Sequence, residues 1–238
     1  MKKSEAKERI ERLRTVINEY RYEYHVNNRS TMSESAADGL KHELAQLEEE
    51  FPELITADSP TQRVAGKPLE QFESVKHATR MLSLNDAFNR EEVEKWVERI
   101  TKLQADATKG GYWVDIKMDG FACSLVYQDS QLVRAVTRGD GFEGENITQN
   151  VRTLDSVPLS LPPKSAFASG RTEVRGEILM YQKDFDSLNK QREKDGEELF
   201  KNPRNTAAGT MRQLDTSLVA ARTLHFHAYS MLRENETS

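Results

Sequence analysis

Tyr112-Trp113-Val114-Asp115-Ile116-Lys117-Met118-Asp119-Gly120-Phe121-Ala122-Cys123-Ser124-Leu125-Val126-Tyr127 is the stretch on which the reading of the fold turns. Its β-branched and aromatic residues come in two short runs, Trp113–Lys117 and Ala122–Tyr127, with Asp119-Gly120 between them. That composition, broken by a glycine turn, predicts two β-strands. The polar Gln128-Asp129-Ser130-Gln131 then reads as a hairpin turn into a third strand, Leu132–Thr137. Glu173–Met180 and Leu224–Met231 read as further strands, and Lys183–Glu193 as a helix.

Upstream of this stretch the pattern is helical. Ile10, Leu13, Val16 and Ile17, followed by Tyr20 and Tyr24, recur at helical spacing. After the polar break Asn27-Asn28-Arg29-Ser30-Thr31, Leu40, Leu44 and Leu47 mark a second helix that ends before Phe51-Pro52. Two helices joined by a short polar loop form an αα-hairpin, too small to be stable without a surface to pack on. Residues 52–90 carry turn chemistry at Asp58-Ser59-Pro60-Thr61 and Gly66-Lys67-Pro68 and read as an ordered connector. Glu91–Leu103 follows as a helix with Val93, Trp96, Val97 and Ile100 on one face. The fold class expected is α+β: a helical unit and connector over 1–68, then a domain with antiparallel sheets over 69–238.

Composition narrows the function. Among 238 residues, 37% are hydrophobic and 31% charged, with no apolar run near the ~20 residues that span a bilayer. No apolar stretch follows Met1-Lys2-Lys3-Ser4-Glu5, so a signal peptide is not read there and a cytoplasmic location is expected. Cys123 is the single cysteine, which excludes an internal disulfide and a multi-cysteine zinc site; within Phe121–Leu125 it reads as a buried thiol. Of the five histidines only His225 and His227 are closely spaced, and alternation on a strand gives them a structural role. No metal-ligand set is read. A net charge of −5 confines any nucleic-acid surface to a local patch.

The chemistry is concentrated in a few motifs. In Lys117-Met118-Asp119-Gly120 the lysine and the aspartate stand two apart, and on a strand they share a face. An amine is a nucleophile only without its proton, which burial or a second cation favours. Read alone, the tetrapeptide is better read as a surface ion pair at a strand end than as a catalytic site. Arg138-Gly139-Asp140-Gly141, Glu173-Val174-Arg175-Gly176-Glu177 and Asn202-Pro203-Arg204 through Arg212-Gln213-Leu214-Asp215 follow it in order. An amine, an arginine and a carboxylate on strand ends of one sheet suit a nucleotide, with arginine on phosphate or ribose oxygens and carboxylate on ribose hydroxyls or a metal. Each pair also has a reading as a structural salt bridge, and the Arg204–Arg212 segment as a solvated loop.

Taken together, K-x-D-G, T-R-G-D-G, E-V-R-G-E and N-P-R-N-x-A-A-G-x-x-R-Q-L-D closely resemble the bacterial NAD-dependent DNA ligases. Pro52–Thr56, Asp58–Val64, Met81–Leu84 and the Tyr24-His25 pair extend the resemblance from about residue 10 to about residue 231. It implies a nucleotidyltransferase (ATP-grasp-like ligase) domain behind a helical domain that holds the nicotinamide mononucleotide half of NAD. On that resemblance Lys117 attacks the α-phosphate of NAD, releases nicotinamide mononucleotide and becomes AMP-lysine, with Asp119 beside it. Asp115, Arg138 and Glu177 line the AMP pocket, and Ser83 and Leu84 contact the nucleotide. Tyr24, His25, Glu34 and Asp38 hold the nicotinamide mononucleotide, and Arg204 and Arg212 contact phosphates of nicked duplex DNA. NAD and Mg²⁺ are the implied small-molecule partners, and strand sealing in replication and repair the implied role.

The chain also departs from that pattern. Asp115 stands where the family has glutamate, Glu34 where it has aspartate, and Ala37 where it has tyrosine. Stacking on an aromatic is worth about 1–3 kcal/mol in nucleic-acid systems, so Ala37 implies weaker nicotinamide recognition. The family's D-G-x-V-x-K motif and a later lysine are not found. The expectation is therefore a truncated or reduced homologue that self-adenylates slowly or not at all. Two forms of it are an NAD- or nick-binding protein and one part of a split ligase completed by a separate C-terminal chain. An adenylyl- or guanylyltransferase using another nucleotide is a third reading, against which the tyrosine-histidine hairpin argues.

Overall fold

Residues 2–25, 29–63, 71–162, 165 and 167–233 are described by a computed structural model of the chain. Its first helix, α1 (Lys3–His25), buries Ala6, Ile10, Leu13, Ile17 and Tyr20, the spacing of one helical face. Val16 falls off that stripe and is 38% exposed, which narrows the face expected from the sequence. α2 (Glu34–Glu50) starts at Ser33, whose side chain accepts from the Ala36 N–H at 3.2 Å. It ends where Phe51 precedes Pro52. Leu44 and Leu47 of α2 pack on Ile10, Leu13 and Ile17 of α1. Five buried aliphatic side chains make a small core, so the hairpin depends on added anchors.

Two such anchors are polar. Glu48 is 2% exposed and takes hydrogen bonds from Arg14 and from the Ser59 and Thr61 hydroxyls, which fixes the connector on the hairpin. Arg21 donates to the carbonyl and carboxylate of Asp155 in the following domain. Arg63 donates to the Leu154 carbonyl at 2.7 Å and the Arg152 carbonyl at 3.2 Å, which binds the connector's end to the same loop. The Pro52–Leu54 and Pro60–Arg63 segments are single 3₁₀ turns, in agreement with the connector reading. The Gly66-Lys67-Pro68 turn, residue 64, the boundary drawn after 68, Asn27, Asn28 and the tail from 234 lie outside the described residues.

The second unit is built on an antiparallel sheet. β1 (Ser74–Lys76) and the helix α3 (Arg90–Leu103) come first. β2 (Phe121–Gln128) and β3 (Gln131–Thr137) form a hairpin whose turn residues Asp129 and Ser130 have φ of 48° and 65°. β4 (Glu143–Glu145), α4 (Thr148–Arg152), β5 (Arg171–Leu179), α5 (Gln182–Lys194), α6 (Pro203–Met211), α7 (Thr216–Ala220) and β6 (His225–Arg233) follow. The main sheet runs β3-β2-β5-β6, all pairs antiparallel, and β1 pairs with β4 in a two-stranded sheet.

Register divides the main sheet into two faces. Cys123, Leu125 and Tyr127 stand opposite Gly176, Val174 and Thr172, and this row joins the core with Val151 of α4, Ala207 and Met211 of α6 and Val219 of α7. Cys123 is fully buried in it, as expected. Ala122, Ser124 and Val126 stand opposite Glu177, Arg175 and Glu173 on the other face. Trp113–Lys117 is not a strand: residues 111–119 belong to neither sheet, and Trp113, Val114 and Ile116 are 91%, 90% and 82% exposed. The residue types favour a strand, but a strand forms only when a neighbour takes its hydrogen bonds, and here the Ile116 N–H goes to the Asp115 carboxylate at 2.7 Å. The segment around Arg204, read as a loop in one alternative, is helix α6; Asn202 caps it by accepting from Asn205 at 2.8 Å, with Pro203 as its first residue. No helix among the described residues is long and apolar enough to cross a membrane.

Glu173 shows what the polar face costs and how it is held. It is 1% exposed, with Arg175 and Arg171 each donating at 2.8 Å. Burial pushes its carboxyl up, but the Arg175, Arg171 and Ser124 hydrogen bonds outweigh burial and hold it below the ordinary glutamate value. Its stabilising contribution is thus present above the unfolded value of about 4.3 and is lost as pH falls through the lower folded value. Urea unfolding at pH 7 is expected to show Glu173→Gln less stable by about 3–5 kcal/mol, a gap that closes on acidification. A constant gap down to pH 3 would contradict the assignment.

Candidate functional site

The polar face of the main sheet converges on one row. Glu177 of β5 stands opposite Ala122 on one side and His227 of β6 on the other. The Arg138 N–H donates to the Ala122 carbonyl at 3.1 Å, so Arg138 continues the row at the far end of β3. Ala122 is small, and two strand spacings of about 4.8 Å separate the Arg138 and Glu177 backbones across it. Long side chains reach over that gap. Lys117, Arg138 and Arg204 all act electrostatically on the half-buried Glu177 carboxyl. Burial is the largest influence and pushes Glu177 above its ordinary value, while the Gly120 N–H and the three cations pull the other way.

Gly120 is what lets the Lys117 segment come this close. A Cβ there would lie 2.4 Å from the Ile178 carbonyl oxygen and from the Leu179 side chain, so only glycine fits. Asp119, one residue earlier, lies 3.2 Å from the Arg204 guanidinium, an exposed pair. Both residues line a 680 Å³ cavity with Leu179, Tyr181, Gln182 and Asn202. Lys117 itself is exposed and does not line that cavity. Burial, one of the two alternatives read for this amine, is therefore not supplied, because its segment lacks a covering strand; Arg138 and Arg204 act together with it on the Glu177 carboxyl. Asp115 is exposed, engaged by its neighbour's N–H.

A strap crosses this face. The buried Arg175 donates to the Arg80 carbonyl at 2.9 Å and to the Thr79 carbonyl, and the Met81 N–H donates to the Gly141 carbonyl at 2.9 Å. Gly141 has φ 94°, and a Cβ on it would meet the Met81 oxygen at 2.7 Å. Ser83 and Leu84 continue the strap and are exposed. His77 Nε2 lies 3.1 Å and 3.2 Å from the Thr137 and Arg138 carbonyls, holding the end of β3 that carries Arg138. Sequence reasoning missed His77 and Arg175 as positioning groups. Arg175 had a signal, since it alternates with Glu173 and Glu177 on one strand face.

The helical-domain residues gather elsewhere. Tyr24, Ala37 and Asp38 line a 490 Å³ cavity with Lys41, Lys183, Asp184, Arg222 and His225. Tyr24 stacks on Tyr20 at 5.9 Å, and Asp38 pairs with Lys41 at 3.3 Å. His225 lies 3.2 Å from Asp184 and stacks on Tyr181 at 4.1 Å, while His227 hydrogen-bonds the Tyr181 hydroxyl. Lys117, Asp115, Arg138 and Glu177 are absent from this lining, so the two groups of expected nucleotide residues do not share this cavity. His25 closes α1 and Glu34 opens α2, and their side chains lie outside the described residues. Arg212 is exposed, 3.6 Å from Glu145 and 5.9 Å from the Phe121 ring centre, at the end of α6 opposite to Arg204.

The Glu177 row fits an adenosine nucleotide, with cations for phosphate and a carboxylate for ribose hydroxyls. No group of three or more His, Cys, Asp or Glu side chains converges among the described residues.

Comparison with known proteins bears on the same residues. Residues 69–238 match the model of the NAD-dependent DNA ligase adenylation domain, and residues 3–65 match that of the DNA ligase-like, N-terminal NAD⁺-binding domain. The chain is 46% identical over 228 residues to the DNA ligase of Thermomicrobium roseum, covering 95% of this chain and 33% of the relative. It is 48% identical over 223 residues to the DNA ligase of Exiguobacterium sibiricum, covering 94% and 32%. It is 46% identical over 231 residues to that of Syntrophobacter fumaroxidans, covering 96% and 34%. The chain thus spans about a third of the length of the curated relatives it matches.

Raised in the fold, Glu177 contributes stability that is present below the unfolded glutamate value and lost as pH rises through the folded one. Thermal unfolding of Glu177→Gln is expected to match the parent near pH 3.5 and to exceed it at pH 7. A lower melting temperature at pH 7 would show that the three cations, not burial, dominate this carboxylate.

Proposed function

The chain belongs to the NAD-dependent DNA ligase family, and we propose that it carries that family's adenylation chemistry at Lys117. The single observation that supports this is the electrostatic pull of Lys117, Arg138 and Arg204, from three separate parts of the chain, on the half-buried Glu177 carboxyl. In the proposed reaction the Lys117 amine donates its electron pair to the α-phosphorus of NAD. A P–N bond forms and the nitrogen gives up a proton to solvent, the P–O bond of the pyrophosphate breaks, and nicotinamide mononucleotide leaves with the electron pair of that broken bond. Arg138 and Arg204 would offset negative charge on the phosphate, and Glu177 would accept from ribose hydroxyls. Asp119 would hold Arg204 in place. Asp115 would sit beside the lysine, and Ser83 and Leu84 would contact the nucleotide from the strap. Mg²⁺, when bound, would polarise the phosphate oxygens.

Tyr24, His25, Glu34 and Asp38 would hold the nicotinamide mononucleotide half, with the helical unit ending near residue 68. Arg204 and Arg212, at the two ends of α6, would contact backbone phosphates of nicked duplex DNA. AMP would then pass to the 5′-phosphate of a nick, for sealing in replication and repair in the cytoplasm. The relatives that bear the name DNA ligase are about three times longer, so sealing is assigned to the whole ligase and adenylation to this portion. A second reading, an impaired NAD- or nick-binding homologue or one part of a split ligase, is favoured by one observation: the segment bearing Lys117 is exposed and unpaired.

Intact-protein mass spectrometry with NAD and Mg²⁺ separates the two. The first reading expects an AMP-sized mass gain that vanishes in Lys117→Ala. NAD binding by calorimetry without any mass gain would overturn it in favour of the second.

A further inference from the structure

The hairpin, the connector and the loop after α4 border a 510 Å³ cavity that the proposed function does not use. Its apolar walls are Tyr22 of α1 and Pro158, Leu159, Leu161 and Pro162 of the loop. Arg21 and Asp155 line both this cavity and the one that holds Tyr24 and Asp38, whereas Arg63 lines this one and not that. Lys117, Arg138 and Glu177 do not border it. A concave, mainly apolar surface of this size with a few polar groups is the usual form of a small-molecule site.

The polar groups leave one positive charge over. Asp155 takes the Arg21 guanidinium, and Asp58, held by hydrogen bonds from Thr56, Gln131 and Ser160, acts on Arg152. Arg63 has no such carboxylate partner among the described residues. Its hydrogen bonds go to the carbonyls of Arg152, Leu154 and Val157, and its buried Nε donates to nothing. Carbonyl dipoles soften the charge without neutralising it, and Arg21 and Arg152 bring charge of the same sign close by. Burial, with Arg21 second, pushes Arg63 down to about 9, so it is still charged at neutral pH. A cation held out of water without a counterion is unfavourable, and an anion placed beside it offsets part of that penalty. The same lining sets a limit. Glu19, Asp58 and Asp155 border the cavity and repel further negative charge, so a monoanion fits and a phosphate dianion does not.

We propose that this cavity binds a small monocarboxylate with an apolar body, its carboxylate toward Arg63 and its body against Tyr22, Leu159 and Leu161. Because the walls come from three segments, the bound molecule ties the hairpin to the following domain and strengthens that seat. Nothing in this depends on Lys117 or on adenylation.

The test uses the full 238-residue chain without NAD, and three probes of one shape: phenylacetate, phenethyl alcohol and phenethylamine. Amide NMR shifts of residues 18–22 and 159–161 read occupancy. Phenylacetate is expected to bind roughly 10-fold or more tighter than the alcohol and the amine, as a charge-assisted contact allows. Arg63→Met keeps the stem, removes the charge and should bring phenylacetate down to the affinity of the alcohol. Because Arg63 also holds three carbonyls, a second variant guards against loss of the fold. Asn18 borders the cavity from the exposed side of α1. Asn18→Trp should fill the cavity, abolish binding of all three probes and leave the unfolding curve unchanged. Equal affinity of the parent for phenylacetate and the alcohol would overturn the proposal. Tighter binding of the amine would do the same, since the lining carboxylates would then dominate. So would the absence of any shift at 18–22 and 159–161, or phenylacetate binding that survives Asn18→Trp.

Discussion

A carboxylate kept half out of water on a central strand, and answered by three cations from separate parts of the chain, is the constraint around which this structure is organised. Glu177 cannot move, because β5 is hydrogen-bonded on both sides, to β2 and to β6. The cations come to it by different routes: Lys117 through the Gly120 crossing, Arg138 at the end of β3 and Arg204 in the first turn of α6. The core face of the same strands supplies the rigidity, with Cys123, Leu125 and Tyr127 packed against α4, α6 and α7. A site built this way is strong in positioning and costly in desolvation, which suits a substrate that brings its own negative charge.

The strands of the sheet were legible in the sequence wherever a segment has both a period-two pattern and a neighbour to pair with. The β2–β3 hairpin is the clearest case, since Asp129 and Ser130 carry the positive φ that a two-residue turn demands. Trp113–Lys117 failed for the complementary reason: side-chain pattern records preference, while strand formation needs a second backbone. Helix α6 escaped because Asn202-Pro203 was taken as part of a motif, although an N-cap followed by proline is a helix start. β1 and β4 are three residues each, too short for alternation to register.

For the site, the sequence reading picked out Glu177 alone, although alternation on one strand places Glu173, Arg175 and Glu177 on a shared face. What brings Arg138 beside Ala122, or the strap over Arg175, is register and loop geometry, which no single segment reveals. The hairpin illustrates the same limit. Its core follows from the spacing of Ile10, Leu13 and Ile17, but its seating depends on Arg21 meeting Asp155, 134 residues later. That seating places Tyr24 and Asp38 over Lys183 and His225 rather than over Glu177.

The claim that everything rests on is the nearness of the Lys117 amine to the Glu177 carboxyl. Zero-length carbodiimide coupling followed by peptide mapping reads it directly. The account predicts a Lys117–Glu177 amide that disappears in Glu177→Gln and is suppressed by NAD. Coupling of Lys117 only to other carboxylates, with Glu177 recovered unmodified, would contradict it.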